Sequence, residues 1–514
     1  MIHTGNRGAG PLRSCACLCL ALALAGCVSP NVGVDKAVSS LRAGDDPPAL
    51  EWAEKRKRSF YSQALACVDA GRVRMLSGDF LGSSTNFAAV IDTIIDTSEA
   101  GPVIKLGGVG ASVMAATITD DRTRAYEVPA YEFVQALQYQ MLNHLFLGRP
   151  DSAAVEARRA IFAQDKIAEK YGKEVQDARV LAESQNGAQL GKVDEQMQGM
   201  APVLEMTRSS FENGLVWYLS GMLLEEQEDI ANAALAFRKA WELTPGNPYV
   251  QRDFLRLLRT QDLEAFKPLA AQAGVAPQSL VRPRTEVVVI LEESFVSQRK
   301  SVKIPLPVGV AVLSVDFPTY QDAPYAPMAL EVDTGRGGEA GAVALSLQAL
   351  AYRDLKEKIP GIVVRNVTRA LTRVAAQEVA RAQDSDALKL AVLATTAVAT
   401  AINRADTRAW YTLPMVSQVY RGGIAPGEQK LTLRNRATGG SMTIPLKVTE
   451  GETRIVWVAD LGGNARVATA SLNGKGAPAT FHVCGSLLSG IPATAMPGGP
   501  GTANGASANG CVTN

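Results

Sequence analysis

Residues 214–248 read GLVWYLSGMLLEEQEDIANAALAFRKAWELTPGNP, and this stretch is the strongest indication of how the first half of the chain folds. The tetratricopeptide (TPR) repeat is a hairpin of two packed helices, about 34 residues long, with small, aromatic and proline residues at fixed places. Counted from Gly214, those places hold Trp217, Gly221, Ala233, Phe237, Ala240 and Pro245. The small residues let the two helices touch, the rings fill the space beside them, and the proline ends the second helix. The stretch therefore predicts a TPR-like helical hairpin.

Two weaker copies of the pattern lie upstream. In one copy, Gly71 and Phe87 occupy the eighth and twenty-fourth places, with residues 78–80 as the turn between the helices. In the other, residues 148–150 form the turn, before the alanine-rich AAVEARRA. The copies are not contiguous, so other helices are inserted between them. We predict an α-rich, multidomain chain in which an irregular TPR-like helical stack spans residues 51–275.

The first helix of each TPR hairpin lines the concave groove of the stack, where its second, fifth, ninth and twelfth places face a ligand. Those places are Leu215, Tyr218, Met222 and Glu225, a mixed apolar and acidic surface. We therefore predict a partner-binding groove for an extended or helical peptide with a basic residue. The irregular spacing leaves an alternative open, in which inserted helices or the second domain fill the groove.

Runs of β-branched residues, broken by proline and glycine, follow the helical region. They predict an α+β domain at residues 276–480, with strands at about 285–315 and 416–460 joined in one small, mainly antiparallel sheet. Helical spacing returns at about 341–403, with a break at Pro360.

The last part of the chain, residues 481–514, is rich in glycine, alanine, serine and proline, and such a composition buries too little surface to order itself. We predict a disordered tail there. Cys484 and Cys511 bracket the tail, and Cys67 is the other thiol that a processed chain retains. A disulfide between Cys484 and Cys511 and two free thiols are both compatible with the sequence.

The first 26 residues resemble a secretory signal peptide, with arginines ahead of a short apolar run. The run ends in LAGC, which resembles the lipobox of bacterial lipoproteins, where the cysteine, here Cys27, is acylated and becomes the new N-terminus. Because Val28 and Ser29 follow and no aspartate signals inner-membrane retention, the expected location is the periplasmic face of the outer membrane. Residues 27–50 are polar, with prolines and glycines, and predict a flexible tether. An ordinary signal peptide near a cysteine is the alternative.

Charge and histidine content limit the chemistry. Lys and Arg total 52 against 51 for Asp and Glu, so the net charge of +1 gives no field that attracts nucleic acid. Outside the leader the histidines are His144 and His482, which leaves metal sites and general bases without their usual residue. We expect no metal and no cofactor.

Enzymatic motifs are weak in this sequence. Ser297 and Lys300 have the Ser-x-x-Lys spacing of penicillin-recognising enzymes, and Ser471 and Asn473 mimic their Ser-x-Asn element. The nucleophile of those enzymes opens a helix, whereas Ser297 lies between strand runs, and no Lys-Thr-Gly follows. We expect no enzyme. The alternative is an envelope hydrolase or glycan-binding lipoprotein that uses the C-terminal α+β domain.

Two polar clusters have a structural interpretation. Residues 406–410, DTRAW, are interpreted as an Arg–Asp pair and a packed tryptophan at a domain boundary, with a ligand contact as the alternative. Glu156, with Arg158 and Arg159, is likewise interpreted as part of structural ion pairs.

Over roughly residues 51–460 the chain resembles a family of uncharacterised bacterial lipoproteins with an N-terminal TPR region. The resemblance is carried by YEVPAYEFVQALQYQMLNHLFLGRPDSAAVEARRA, by EVVVILEE and by ADTRAWYTLPMVSQVYRGGIAPGEQKLTL. The chain departs from the family at residues 293–295, which read ESF where glycine is expected, and at Ser297, where proline is usual. Genes of this family often lie near those of penicillin-binding-protein activators. The resemblance therefore implies a lipid-anchored adaptor or scaffold that binds envelope proteins and is linked to peptidoglycan synthesis.

Overall fold

The computed structural model describes residues 33–58, 63–98, 101–105, 125–308, 311–320, 325–381, 405–488 and 511–513. The predicted signal peptide and Cys27 lie outside this part. Helices fill its N-terminal half, and strands with one long helix fill its C-terminal half. One hydrophobic core runs through both halves. The predicted order, a helical region followed by an α+β region, is confirmed at this level.

The N-terminal region is a succession of helices that pack on one another along the chain. They are α1 (Val34–Ala43), α2 (Asp46–Arg56), α3 (Gln63–Leu76), α4 (Phe80–Ile94), α5 (Ala130–Phe146), α6 (Pro150–Gln196), α7 (Ala201–Leu204), α8 (Gly214–Glu226), α9 (Ile230–Leu243), α10 (Pro248–Gln261) and α11 (Leu263–Ala273). A small antiparallel hairpin, β1 (Ile95–Ser98) and β2 (Gly101–Ile104), follows α4. The long helix α6 is bent at Asn186, whose φ of −142° is not helical.

In two of the helical hairpins, the two helices are in close contact at a glycine. A Cβ atom at Gly221 of α8 would lie 2.7 Å from the Phe237 ring of α9, closer than real Cβ contacts. The same contact recurs between α3 and α4, where a Cβ atom at Gly71 would lie 2.9 Å from the Phe87 ring. α9 ends before Pro245. The remaining matched places of the first hairpin are buried: Trp217, Ala233 and Ala240.

The tether predicted at residues 27–50 is wrong from Gly33 onward, because α1 and α2 form there. α1 buries one side, with apolar residues at helical spacing: Val34, Ala37, Val38 and Leu41. The glycines that suggested a tether are helix ends, since Gly33 precedes α1 and Gly44 ends it with φ 82°. Pro47 and Pro48 occupy the first turn of α2, where a missing N–H costs nothing.

The strands of the α+β region belong to separate sheets. They are β3 (Glu286–Glu293), β4 (Lys300–Val308), β5 (Ala311–Thr319), β6 (Leu330–Asp333), β7 (Gly338–Ala340), β8 (Ala342–Ser346), β9 (Val416–Gly423), β10 (Gly427–Asn435), β11 (Ser441–Val448), β12 (Thr453–Asp460), β13 (Asn464–Ser471), β14 (Thr480–Gly485) and β15 (Val512–Thr513). The main sheet has the order β15-β14-β13-β12-β3-β9-β8, and a second sheet has the order β11-β10-β6-β7. β4 and β5 pair with each other alone among the described strands.

The prediction of one small sheet is therefore wrong. The neighbouring strands β4 and β5 pair with each other, and β10 and β11 pair in the second sheet, so neither pair joins the main sheet. In the main sheet the pair β12–β3 is parallel, and every residue of both strands is buried. Strands buried throughout need cover on both faces.

That cover comes from the helices on one face and the second sheet on the other. On the helical face, Arg421 of β9 bonds to Asp253 of α10. On the opposite face, Gln418 of β9 donates to the carbonyl of Met328, just before β6. In β11 buried and exposed residues alternate, as expected for an outer strand with one face in solvent. The order of layers is thus helices, main sheet, second sheet.

The helix α12 (Leu347–Arg381) continues through Pro360, so the predicted break is wrong. Packing on both sides of the proline, by the buried Ile359 and Val363, holds the helix together despite the lost backbone bond. The segment predicted as helical from residue 341 begins instead with β8. Residues 382–404 lie outside the described part.

The tail prediction for residues 481–514 is wrong where the structure describes it. β14 extends the main sheet, Leu487 and Leu488 are fully buried, and β15 pairs with β14. A disulfide joins Cys484 to Cys511, as one of the two open alternatives had it. The apolar residues just after the predicted domain boundary pack into the core, which the average composition of the whole tail does not indicate.

Candidate functional site

The residues predicted to line a partner-binding groove are buried. Leu215, Tyr218 and Met222 are at most 1% exposed, and the Glu225 side chain is 8% exposed. The Tyr218 hydroxyl donates to Asp253 Oδ2 of α10 at 2.6 Å. The groove prediction is therefore wrong. The alternative, in which other elements of the chain fill this space, is confirmed.

A buried ion-pair network occupies the place of the groove, and we call it the seam cluster: Tyr218, Glu225, Glu226, Asp253, Arg256, Arg282, Glu286 and Arg421. Arg421 of β9 lies at its centre and is 0% exposed. Its Nη1 is 2.9 Å from Asp253 Oδ2 of α10, and its Nη2 is 2.5 Å from Glu286 Oε1 of β3. Its Nε also donates to Glu286 Oε2 at 2.9 Å. One guanidinium thus ties the helical region to the main sheet.

The outer part of the seam cluster is less deeply buried. Arg256 donates to both carboxylate oxygens of Glu225, at 2.6 and 2.8 Å. Arg282 Nε is 2.7 Å from Glu286 Oε1, and the same guanidinium also pairs with Glu226. Paired, forked contacts of this kind are the strong form of charge-assisted hydrogen bond.

Charges in the seam cluster stabilise one another. Burial alone would raise the pKa of Asp253, but attraction by Arg421, with Arg252 and Arg256, outweighs it and lowers that pKa to about 2. The pKa of Glu286 is also lowered: burial opposes the shift, and Arg421 outweighs it. These carboxylates stay ionised at neutral pH. The cluster therefore suits a permanent electrostatic clamp and not proton transfer.

A second buried cation, Arg72 of α3, lies between α5 and the main sheet. Its Nη2 donates to Glu292 Oε2 of β3 at 2.6 Å. The guanidinium carbon lies 4.6 Å from the ring centre of Tyr139 and 5.3 Å from that of Trp457. Burial raises the pKa of Tyr139, Arg72 opposes the shift and Glu292 adds to it, so the hydroxyl keeps its proton.

Several buried polar atoms of Arg72, its partner Glu292 and the neighbouring helix α5 have no hydrogen-bond partner among the described residues. They are Arg72 Nη1, Gln135 Nε2, Gln138 Oε1 and Nε2, Tyr139 Oη and Glu292 Oε1. The Tyr139 hydroxyl lies beside Gln135 and Glu292, without the geometry of a good hydrogen bond. Buried polar atoms of this kind commonly bind ordered water.

Residues 406–410 belong to a structural cluster, as their first interpretation had it. Arg408 Nη2 is 2.7 Å from Asp406 Oδ2. Trp410 is fully buried, and its backbone N–H donates to Glu132 Oε1 of α5 at 3.0 Å. The hydroxyl of Tyr126 donates to Glu132 Oε2 at 2.7 Å. Burial raises the pKa of Glu132 despite these bonds. Glu132 thus fastens the segment before β9 to the helical region.

Ion pairs also account for Glu156, Arg158 and Arg159 of α6. Glu156 pairs with Arg159 at 3.0 Å, and Arg159 also pairs with Asp92 of α4 at 2.8 Å. Arg158 reaches Asp229 at 3.3 Å. The interpretation of these residues as structural ion pairs is confirmed.

The serines that fit penicillin-recognising motifs lie at opposite ends of the main sheet. Ser471 of β13 pairs through β12 with the beginning of β3, whereas Ser297 follows the end of β3. The length of β3 separates them by roughly 20 Å. They do not form one site.

Two carboxyl groups meet on the side of the main sheet that faces the second sheet. Glu293 and Asp460 are partners in register at the ends of the parallel strands β3 and β12. Glu293 accepts from Gln418 Nε2 at 2.6 Å and from the Tyr325 hydroxyl at 2.9 Å. Asp460 accepts from the Ser486 hydroxyl and the Leu487 N–H, both at 2.6 Å. These carboxyls hold two connecting segments against the sheet end.

Stability should fall as the pH rises from about 5.5 to about 8. Burial raises the pKa of Glu293 to about 7 and that of Asp460 to about 6, above their ordinary 4.5 and 3.8. When folding raises the pKa of a carboxyl, that carboxyl stabilises the fold at pH values below its unfolded pKa. The contribution is lost as the pH rises through the folded pKa. Glu293 alone should cost about 2 kcal/mol across this window. Urea unfolding at the two pH values measures it.

The variant Glu293→Gln should remove its own share of this pH dependence, about 2 kcal/mol, while Asp69, whose pKa burial also raises to about 7, keeps its share. Burial lowers the pKa of His144 and of His482. Because of this shift, the two histidines make the fold more stable as the pH rises toward about 6.5, opposite to the effect of the carboxyls. Asp253, with its pKa near 2, changes its contribution only below about pH 4. A chain that is more stable at pH 8 than at pH 5.5 would contradict the assignment to the carboxyl pair.

Sequence reasoning missed the seam cluster and the carboxyl pair. A signal for both was present, since EVVVILEE begins and ends with glutamates in an otherwise apolar strand, and Arg421 follows VSQVY. Charged residues within a strand that is otherwise apolar indicate charges that are paired in the protein interior.

Among the described residues, no group of His, Cys, Asp and Glu side chains could hold a metal ion. Within the same residues, no helix has the length and apolar character of a transmembrane span. Comparison of the chain with models of known protein families and with curated proteins gives no match.

Proposed function

We propose that this chain is a lipid-anchored adaptor of the bacterial cell envelope. Acylated Cys27 would hold it at the periplasmic face of the outer membrane, where it binds envelope proteins, with those of peptidoglycan synthesis the first to test. The LAGC sequence at residues 24–27 supports the anchor. The observation that carries the adaptor role is the succession of helical hairpins, an architecture that serves protein recognition in repeat proteins.

The hairpins support a TPR-like interpretation of the stack. In α3–α4 and in α8–α9 a glycine touches the phenylalanine sixteen residues later, and in both hairpins a Cβ atom at the glycine would meet that ring at less than 3.0 Å. These are the eighth and twenty-fourth places of the repeat. Two hairpins from distant parts of the chain thus pack through the same glycine–phenylalanine contact.

A partner would bind the outward faces of the helices, because the inner side of α8 is occupied. α9 buries its small and aromatic residues against α8 and turns charged side chains outward. Arg238, Lys239 and Glu242 have side chains 53%, 37% and 49% exposed, and they pair only weakly along the helix, at 3.8 Å. This mixed-charge surface suits a polar partner surface. The seam cluster meanwhile keeps the stack rigid against the sheet.

One experiment tests anchor and adaptor together. Wild type and Cys27→Ser are expressed as full chains, labelled with palmitate, crosslinked in cells and analysed by mass spectrometry. Wild type should carry the label and capture a reproducible set of envelope proteins. Cys27→Ser should remain an unlabelled, uncleaved precursor, because no other cysteine stands at the lipobox position.

A surface variant separates the two parts of the proposal. Replacing Arg238, Lys239 and Glu242 with alanine should reduce capture while label and melting temperature stay unchanged. The matched control replaces Lys166 and Glu169, an exposed pair on α6, and should leave capture intact. Equal labelling of wild type and Cys27→Ser would refute the anchor. Labelled protein that enriches no envelope protein would refute the adaptor.

A further inference from the structure

One nitrogen of the buried Arg72 guanidinium has no hydrogen-bond acceptor among the described residues. The cation lies where α3, α5 and the main sheet meet, with the ring centres of Tyr139 and Trp457 at 4.6 and 5.3 Å from its guanidinium carbon. Its Nη2 donates to Glu292 Oε2 at 2.6 Å, and its Nε donates to the Thr412 carbonyl at 3.3 Å. Nη1 remains. A charged donor buried without an acceptor is unfavourable, so Nη1 calls for a further group.

The main sheet places two more unsatisfied groups beside this cation. Glu292 of β3 and Ser417 of β9 are partners in the antiparallel register, so their side chains leave the same face of the sheet with Cβ atoms about 5 Å apart. Glu292 Oε1 and the Ser417 hydroxyl both lack a partner within the described part of the chain. On the other side of Glu292 the register partner is Ala459 of β12, whose side chain ends at Cβ. The carboxylate is thus flanked in the sheet by two small side chains, which occupy little of the space beside it.

Helix α5 supplies the opposite wall. Gln135 and Tyr139 are four residues apart and therefore lie on one face of the helix. Gln135 Oε1 accepts from Asn213 Nδ2 at 3.1 Å, while Gln135 Nε2 finds no acceptor among the residues that the structure describes. The Tyr139 hydroxyl lies beside Gln135 and Glu292, without the geometry of a good hydrogen bond to either. Through Tyr139, the polar face of α5 is within reach of the pair of Arg72 and Glu292.

We call these five side chains the Arg72 cluster: Arg72, Gln135, Tyr139, Glu292 and Ser417. Each is at most 1% exposed. Their unpartnered atoms are of both kinds, since the two nitrogens only donate, the carboxylate oxygen only accepts, and the two hydroxyls do either. Direct hydrogen bonds do not join these atoms to one another. Polar groups that lie near each other but beyond direct hydrogen-bond distance are commonly bridged by water.

Water suits the Arg72 cluster better than an ion does. Arg72 repels a cation and Glu292 repels an anion, and the two charges cancel. A water molecule both donates and accepts, and a buried one makes about three hydrogen bonds to groups that are otherwise unpaired. Five unpartnered groups therefore suit roughly two water molecules. Because every member is almost completely buried, the cluster offers no exposed side chain that would recognise a larger molecule.

We propose that the Arg72 cluster binds a small set of ordered water molecules that join α3 and α5 to the main sheet. The water completes the hydrogen bonds of Arg72 and Glu292. At this place the helical region and the sheet are therefore connected by a water-mediated network as well as by one direct ion pair. The seam cluster, in contrast, connects the same two regions through direct ion pairs. This site depends on neither the lipid anchor nor the adaptor role.

The test uses the full mature sequence with Cys27→Ser as the parent. Oxygen-17 relaxation dispersion counts the water molecules that stay inside a folded protein long enough to rotate with it. The double variant Tyr139→Phe with Ser417→Ala removes both hydroxyls and should lower this count by roughly one to two molecules. Ser486→Ala is the matched control, because that hydroxyl is also buried but donates directly to Asp460 at 2.6 Å, on the other side of the main sheet. The control should leave the count unchanged.

Urea unfolding of the two single variants supplies a second measurement. A buried hydroxyl without any partner stabilises nothing, so its removal would leave stability unchanged or raise it. A hydroxyl bound to water loses a hydrogen bond, so Tyr139→Phe and Ser417→Ala should each raise the unfolding equilibrium constant about three- to ten-fold.

Two results would overturn the water site: a water count that the double variant leaves unchanged, or single variants as stable as the parent. Native mass spectrometry provides a further check on the occupant. An organic molecule retained by the parent and lost by the double variant would show that something other than water binds there, and would equally overturn it.

Discussion

Tyr218→Ala combined with Met222→Ala should remove most of the stability of the chain. Both side chains are at most 1% exposed, in the core between α8, α9 and α10. Truncation of a buried methionine costs about 2–5 kcal/mol and that of a buried aromatic about 3–5 kcal/mol. Their sum, with coupling between neighbours, is roughly 5–8 kcal/mol. Urea unfolding followed by circular dichroism measures the loss.

Two further variants separate packing from hydrogen bonding. Tyr218→Phe keeps the ring and loses the bond to Asp253, which should cost about 1–3 kcal/mol. Leu263→Ala, at a site 55% exposed, should change stability by less than about 0.5 kcal/mol. A double variant that unfolds at the same urea concentration as wild type would mean that this surface is open, as a TPR groove would require.

The hairpins were predictable because their signal is local. Gly221 and Phe237 lie sixteen residues apart, and the contact between them needs only two helices and one turn. α1 has an equally local signal in Val34, Ala37, Val38 and Leu41, but glycines and prolines at its ends obscured it. Local periodicity was therefore a better guide there than composition.

The groove was not predictable because what fills it comes from far along the chain. Tyr218 meets Asp253 in the next hairpin, and Asp253 meets Arg421 of β9, 168 residues later. Residue spacing around Tyr218 carries no information about a strand so distant. The single-sheet prediction failed in part: β3 does join the later strands β9 and β12, but β4 with β5, and β10 with β11 and β6, form sheets of their own.

The predicted site residues were assigned from the geometry of a repeat, and the repeat describes only its own two helices. Leu215, Tyr218 and Met222 do lie on one face of α8, but that face meets α10 and the sheet instead of solvent. For Glu225, the sequence predicted contact with a basic residue of a bound peptide, and this prediction is wrong. The partner is Arg256 of the same chain.

Arg421→Met should destabilise the chain by roughly 3–5 kcal/mol at neutral pH, because it leaves Asp253 and Glu286 as buried charges without their main partner. The control is Arg284→Met, whose partner Glu450 is also 2.9 Å away but whose side chain is 80% exposed. Exposed pairs contribute about 0–1 kcal/mol, so comparing the two arginine variants separates the effect of burial from that of pairing.

Once Arg421 is gone, the pKa of both carboxyls rises, and acid then neutralises them. The cost of Arg421→Met should therefore shrink as the pH falls from 7 toward 5, while that of Arg284→Met stays flat. Adding Asp253→Asn and Glu286→Gln to Arg421→Met should recover part of the loss at pH 7, since it removes the stranded charges. A loss that does not change with pH, or that these two substitutions deepen, would mean that Arg421 acts through its packing and not through its charge.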